Sequence, residues 1–264
     1  MADRGAAAVA PGRRRHEVLW TAGWDSTFRV LDLISGSDAL VQPYYVVDPG
    51  RRSHRMELAR MAEIVAAVAA RGWPGRLELP EVVEMPDTGR HPDIRAAWAT
   101  LHDGIGLGSQ YEWLACFARD RDLRGLELGV VAGGSKTETF LRPRVVRRME
   151  AGREVTVFDR EGEPGAVLFE RMTFPLLATS KARMGEIAAE RGFRDLLERS
   201  WFCHDPLLGR YPCGQCVPCR DATSRGLAYR LGWRGRAIAL LPGRLSGLVR
   251  KGRRRLRQRS RPER

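Results

Sequence analysis

Hydrophobic and polar positions change period in blocks along the first two thirds of the chain. Residues 17–22 (EVLWTA) form a short apolar run that predicts a buried strand passing into a turn at Gly23, Trp24, Asp25 and Ser26. Phe28, Leu31, Leu33 and Ile34 then recur at helical spacing until Gly36, a residue suited to a helix end. Residues 41–47 (VQPYYVV) predict a second strand, and Ser53 is placed to cap a helix whose Leu58, Met61, Val65 and Val68 repeat at threes and fours up to Gly72. A third strand is expected in 76–83, a helix in 110–120 and a fourth strand in 126–132. Residues 145–171 interrupt the alternation with two short strands around Gly- and Pro-bearing turns, and a helix resumes near Ser180. Such alternation is the signature of βαβ units. The fold class it predicts is α/β, a doubly wound and mainly parallel sheet with helices on both faces. Ligands in such sheets lie at the carboxyl ends of the strands, which directs attention to the loops after strands one, two and four.

Composition narrows the picture. A chain of 264 residues, 43% hydrophobic and 29% charged, allows one large α/β domain with an appendage, or two small domains. It excludes disordered, collagen-like and disulfide-scaffold chains. No run approaches the roughly 20 apolar residues that span a bilayer. The opening MADRGAAAVAPGRRRHE lacks the order of a secretory signal, so a cytoplasmic location is expected. Of the net charge of +13, residues 234–264 carry +11, with twelve basic residues and one acidic. The expected organisation is a disordered N-terminus (1–15), a nucleotide-binding α/β domain (16–200), a four-cysteine segment (201–233) and a basic tail (234–264). A tail of this kind is expected to be solvated, and RNA, an anionic membrane surface or an acidic protein are the partners its charge suits.

Two clusters carry candidate chemistry. In residues 21–26 (TAGWDS) a tight turn aims backbone N–H groups and the positive end of a helix dipole at one spot, which suits an anion. Gly23 lets the backbone approach a phosphate, the hydroxyls of Thr21, Ser26 and Thr27 can donate to its oxygens, and Asp25 can help hold a nucleotide-borne metal ion. An ordinary capped strand-to-helix turn would look similar. Residues 129–137 (GVVAGGSKT) approach the Walker pattern, but Ser135 separates Gly134 from Lys136 and breaks it.

The second cluster is Cys203, Cys213, Cys216 and Cys219, spaced C-x9-C-x2-C-x2-C in WFCHDPLLGRYPCGQCVPC. Two-residue gaps let neighbouring thiolates turn onto one ion, so a structural Zn2+ with four cysteine ligands is favoured over an iron–sulfur cluster or redox disulfides. The fifth cysteine, Cys116, sits among apolar residues of a helix and is expected in the core.

Together these two clusters give the chain a family likeness. TAGWDS resembles the SGGxDS PP-loop of ATP pyrophosphatases, with Thr21 for Ser and Ala22 for Gly while Gly23, Asp25 and Ser26 match. With CHDP…CGQCVPC followed by Arg220, Glu57-Leu58-Ala59 preceded by Arg52-Ser53-His54, and FPL with Ser180-Lys181, the likeness from about Val18 to Gly232 is to the 7-cyano-7-deazaguanine synthase family of deazapurine and queuosine biosynthesis. That resemblance implies an adenine nucleotide α-hydrolase-like fold with a five-stranded parallel sheet. It implies ATP with Mg2+ as co-substrate, a small-molecule carboxylate, and ammonia or another amine; a homodimer is a further expectation. The carboxylate would be adenylated with loss of pyrophosphate and attacked by nitrogen, and a second activation could dehydrate the amide to a nitrile. Asp25, Ser26 and Lys181 are the implied catalytic residues. Thr21, Ala22, Gly23, Trp24, Asp25, Ser26, Thr27, Gly133 and Gly134 are the implied nucleotide or substrate contacts. One stretch departs from the pattern: residues 133–148 (GGSKTETFLRPRVVRR) are basic where the family is acidic, and Lys136, Arg142 and Arg144 would suit a more anionic acid. A tRNA-thiolating enzyme of the same fold and a non-catalytic nucleotide-binding protein are the alternative readings.

Overall fold

The computed structural model describes residues 13–150, 152–224 and 226–240. The first twelve residues, expected to be disordered, and residues 241–264, most of the expected basic tail, lie outside the described residues.

Strands β1 (Arg15–Leu19), β2 (Leu40–Val47), β3 (Arg76–Leu77), β4 (Glu81–Glu84), β5 (Leu126–Glu127), β6 (Val145–Glu150), β7 (Arg153–Phe158) and β8 (Met172–Thr173) belong to one sheet ordered β3-β2-β1-β5-β8-β7-β6, with β4 also on β2. Pairing is parallel from β3 and β4 through β8, and antiparallel where the β6–β7 hairpin extends the edge. Among the described residues the parallel part thus has five positions, and the segment expected to break the pattern widens the sheet instead. The helices are α1 (Trp24–Gly36), α2 (His54–Ala69), α3 (Pro92–Ile105), α4 (Gln110–Asp120), α5 (Lys136–Leu141), α6 (Pro164–Phe169), α7 (Lys181–Glu190), α8 (Arg194–Leu197), α9 (Val217–Ser224) and α10 (Gly232–Ala239).

Two expected strands are shorter than their apolar runs, for identifiable reasons. The run 76–83 divides into β3 and β4 opposite Pro43, which has no N–H to offer. At this gap the Gln42 side chain donates instead, to Pro43 O at 3.1 Å and Leu79 O at 3.4 Å. The run 126–132 leaves the ladder at Leu128 because Val130 N turns back onto Leu128 O at 2.9 Å. The fifth parallel position, β8, has only two residues and is not marked by any apolar run of its own.

The chain forms two compact units: residues 1–48 with 59–200, and residues 49–58 with 201–264. In the first, α4 packs Tyr111, Leu114 and Phe117 against Leu126, Leu128 and Phe169. Cys116 is fully buried there, and burial pushes its thiol up to about 11, so it is an inert core residue. The second unit has a small core of Trp201, Ala222, Leu231 and the cysteines, with Met56 and Leu227 packed on it. Helix α10 belongs to this unit and runs through residue 234, where the basic tail was expected to begin. No helix among the described residues is long and apolar enough to cross a membrane.

Candidate nucleotide site and metal centre

The first candidate site is built where β1 ends and α1 begins. Ala22 takes a left-handed backbone conformation (φ 53°), which swings the chain so that Gly23 becomes the N-cap of α1. Ser26 closes the turn: its Oγ accepts from Thr21 N at 3.2 Å, pairs with Thr21 Oγ1 at 3.3 Å and donates to Gly23 O at 3.5 Å. The turn is therefore shaped before any ligand arrives. The first turn of a helix leaves its N–H groups without partners within the helix, so this cradle presents donors and a positive dipole end.

Two further loops reach the same place. The chain after β5 passes under the turn at Gly129, where a Cβ would stand 3.4 Å from both Asp25 Cβ and Ser26 N. That loop then bridges the loop after β8, with Ala132 N donating to Thr179 O at 3.1 Å. The bridge leads directly into α7, whose cap Ser180 accepts from Arg183 N at 3.2 Å. Lys181, the first residue of α7, places its Nζ 3.6 Å from Asp25 Oδ2. Three residues far apart in sequence, Asp25, Gly129 and Lys181, thus meet at the carboxyl ends of β1, β5 and β8.

Not every expected contact residue faces this spot. Thr27 is wholly buried and its hydroxyl accepts from Trp20 Nε1 at 2.9 Å, so it anchors α1 to β1. Ala22 and Trp24 are buried as well, and the Arg194 guanidinium covers the Trp24 ring at 5.1 Å. Gly133 and Gly134 are exposed, but Gly134 N already donates to Glu138 Oε2 at 3.1 Å as part of the cap of α5. Thr21, Gly23, Asp25 and Lys181 are the half-exposed members of the cluster.

The basic stretch after Gly133 is largely neutralised. Arg142 pairs with the buried Glu138 (Nε to Oε1 2.7 Å), and Arg144 with Glu163 (2.7 Å) while lying 4.4 Å over Phe140. The Lys136 ammonium lies against Gly106, the carboxyl-terminal cap of α3, where the helix dipole is negative. Counting cations in the sequence overstates the positive field there. Arg142, Arg147, Thr156, Phe174 and Leu177 do line a cavity of about 630 Å³, whose wall is the same 174–180 loop that carries Ser180.

A buried charge cluster beneath the turn was not anticipated. Glu127, on β5, accepts from His16 Nδ1 (2.7 Å) and Arg29 Nε (2.5 Å), with Arg153 at 3.6 Å. Burial alone would raise its carboxyl, but Arg29 and His16 outweigh it and hold it down to about 2. Arg29 also faces Asp32 at 3.7 Å, which pairs in turn with Arg191 at 2.6 Å. The sequence signal was a Glu inside an apolar strand, legible as buried and paired but silent about its partners.

In the second unit the four cysteine sulfurs all lie within 4.8 Å of one another, with Cys213–Cys219 and Cys203–Cys216 both at 3.9 Å. Thiolates about 2.3 Å from one tetrahedral ion would stand about 3.8 Å apart, so the spacing fits a single zinc. An iron–sulfur cube would hold each sulfur on a separate iron and spread them further. Backbone N–H groups already point at the sulfurs: Cys216 N and Gln215 N at Cys213 Sγ (3.3 and 3.5 Å), Cys213 N at Cys203 Sγ (3.2 Å). Hydrogen bonds from Cys203 and the other two thiols hold Cys213 well below the usual thiol range, and Cys203 draws Cys216 to about 7.

No protein-family model matches the chain. The chain is similar to the 7-cyano-7-deazaguanine synthase of Erythrobacter litoralis (strain HTCC2594), at 24% identity over 225 aligned positions that cover 80% of this chain and 87% of that protein. That likeness supports a distant relationship to a synthase, an enzyme.

Proposed function

We propose that the protein is an ATP-dependent carbon–nitrogen ligase of the PP-loop type, acting on 7-carboxy-7-deazaguanine or a related heterocyclic acid. The observation that carries this reading is the meeting of Lys181 and Asp25 over the amino terminus of α1, 3.6 Å apart, beside a turn closed by its own serine. The likeness to a synthase over 80% of the chain supports it. In the reaction a carboxylate oxygen attacks the α phosphorus of ATP, the bond to the bridging oxygen breaks and pyrophosphate leaves. Ammonia then attacks the acyl carbon, loses a proton and expels AMP; in a second round the amide oxygen attacks the α phosphorus of another ATP, pyrophosphate leaves, and loss of AMP and the two N–H protons gives the nitrile. The chain's part is electrostatic. Donors at the first turn of α1 and the Lys181 ammonium face the charge that grows on the leaving pyrophosphate. Mg2+ bound with the nucleotide would neutralise more of that charge, with Asp25 the carboxylate available to it.

Incubating the purified protein with MgATP, ammonium and 7-carboxy-7-deazaguanine, and reading nucleotide and base by mass spectrometry, tests this directly. AMP and pyrophosphate together with the amide or nitrile are expected. Lys181→Ala and Asp25→Ala should each lower turnover by about 10²–10³-fold with unchanged thermal stability. Intact ATP and intact acid, in protein whose fold is confirmed, would overturn the proposal.

A further inference from the structure

Charge is divided unequally between the two units. Residues 49–58 and 201–264 contain nineteen basic and four acidic residues, a net +15, against −2 for the remainder. The described part of this unit also bears exposed rings and aliphatic side chains, Trp233 (67% exposed), Tyr229 (53%) and Leu208 (87%) among them. Leu208 and Gly209 both have positive φ, at 49° and 73°, and form the tip of a tight hairpin closed by Leu207 and Tyr211. Leucine is a poor residue for a left-handed tip, and here it is held out into solvent.

Behind that tip runs an alternating stack. Arg210 lies 4.7 Å over Tyr211, Arg234 lies 4.6 Å over the same ring, and Arg234 lies 4.5 Å over Trp233. Neither Arg210 nor Arg234 forms an ion pair among the described residues; both guanidiniums lie on rings, keep their charge and remain attractive to an anion. From the structure we infer that this face of the second unit binds single-stranded RNA, with unpaired bases extending the Arg210–Tyr211–Arg234–Trp233 stack and phosphates meeting the arginines. Three features favour that partner over a bilayer or a DNA duplex. Among the described residues of this unit every Lys/Arg position is an arginine, the cation that both stacks on bases and forks onto phosphate. The rings alternate with guanidiniums rather than forming an apolar face. Unpaired bases are a standing feature of folded RNA, whereas duplex DNA hides them.

The full-length, zinc-loaded protein should bind a fluorescein-labelled, mixed-sequence single-stranded RNA of about 20 nucleotides, read by anisotropy across a KCl series. Affinity should fall linearly on a log–log plot, by about 0.7 per phosphate contacted. Tyr211→Ala and Trp233→Ala should each weaken binding about tenfold with the salt slope unchanged, while Trp233→Phe, which keeps a ring, stays within about threefold of the parent. Zinc content and circular dichroism establish that each variant is folded. Binding unaffected by both alanine variants, tighter binding to a duplex DNA of equal length, or binding to anionic phosphatidylserine vesicles but not to RNA would each overturn the inference.

Discussion

The turn at Thr21–Ser26 and the loop at Cys213–Cys219 both bend the chain sharply around a place for a charged ligand, but different forces hold them. The first is enclosed by a large core, with β1 and α1 on either side and Gly129 beneath, and its own serine completes the hydrogen bonds. The second sits on a core of a few side chains, among which Cys203, Cys213, Cys219 and Leu231 are the most buried. A turn of the first kind is a product of folding. A loop of the second kind has little apolar surface of its own, so a metal held by its four cysteines would be part of its folding energy.

The largest test of that difference is Cys213→Ser. Structural zinc contributes on the order of 10 kcal/mol in small metal domains, so losing a ligand should unfold the second unit rather than loosen it. Amide hydrogen exchange should show protection lost across residues 201–240 and kept in β1, β2 and α4. Retained protection in the cysteine segment of a metal-free variant would remove the contrast altogether.

Next in size is the buried charge cluster around Glu127, which asks whether the first unit depends on anything besides apolar burial. Glu127 is held down to about 2 from an ordinary 4.5. A depressed carboxyl contributes stability above its unfolded value and loses it as pH falls toward the folded one, so the loss belongs between about pH 4.5 and pH 2. The shift corresponds to a contribution on the order of 3 kcal/mol. Glu127→Gln should lower stability by about 3 kcal/mol at pH 7 and flatten its dependence on pH in this window. Parallel urea-unfolding curves for parent and variant from pH 6 to pH 3 would assign the acid sensitivity elsewhere.

What could be read in the sequence follows the same division. Local signals were legible: the strand-to-helix turn, the helix at Gln110–Asp120, the hairpin and the four cysteines come from residues close in sequence. Signals carried by pairing across the sheet were not. Nothing in Met172–Thr173 marks a strand, because a two-residue strand in the parallel sheet is defined by its neighbours. The roles of Gly129 and Glu127 were hidden for the same reason, and so were the partners of Lys136, Arg142 and Arg144, three cations expected to suit an anionic acid: these roles lie with Ser26, Arg29, Gly106, Glu138 and Glu163. Thr27 went the other way: a hydroxyl in a phosphate-type motif is occupied by Trp20.

A smaller test uses the glycines of the two turns. Gly214 has φ 72°, and a Cβ there would overlap Gly235 O in α10, a backbone atom that cannot swing aside. Backbone strain and overlap act in the same direction, so Gly214→Ala should lower the stability of the second unit by about 2–4 kcal/mol. Zinc affinity should fall with it, measurable by competition with a chromophoric chelator. Unchanged affinity would mean that α10 does not brace the cysteine loop.

The smallest effect is expected where the reverse exchange is made in the other turn. Ala22 has φ 53° and is fully buried. Replacing it with glycine relieves a left-handed alanine, worth roughly 1 kcal/mol. The same change frees the unfolded chain by about 0.4–1 kcal/mol and exposes the space of one buried methyl, worth about 0.8 kcal/mol. These terms oppose one another, so Ala22→Gly should move stability by less than about 1 kcal/mol, with loss slightly favoured over gain. A loop whose strain is offset by burial tolerates either residue, whereas a loop pressed against a neighbouring backbone tolerates only glycine. Urea unfolding of the two variants side by side decides it: a gain of 2 kcal/mol or more for Ala22→Gly, roughly twice what the left-handed strain alone is worth, would show that the Thr21–Ser26 turn is strained as a whole and not self-supporting.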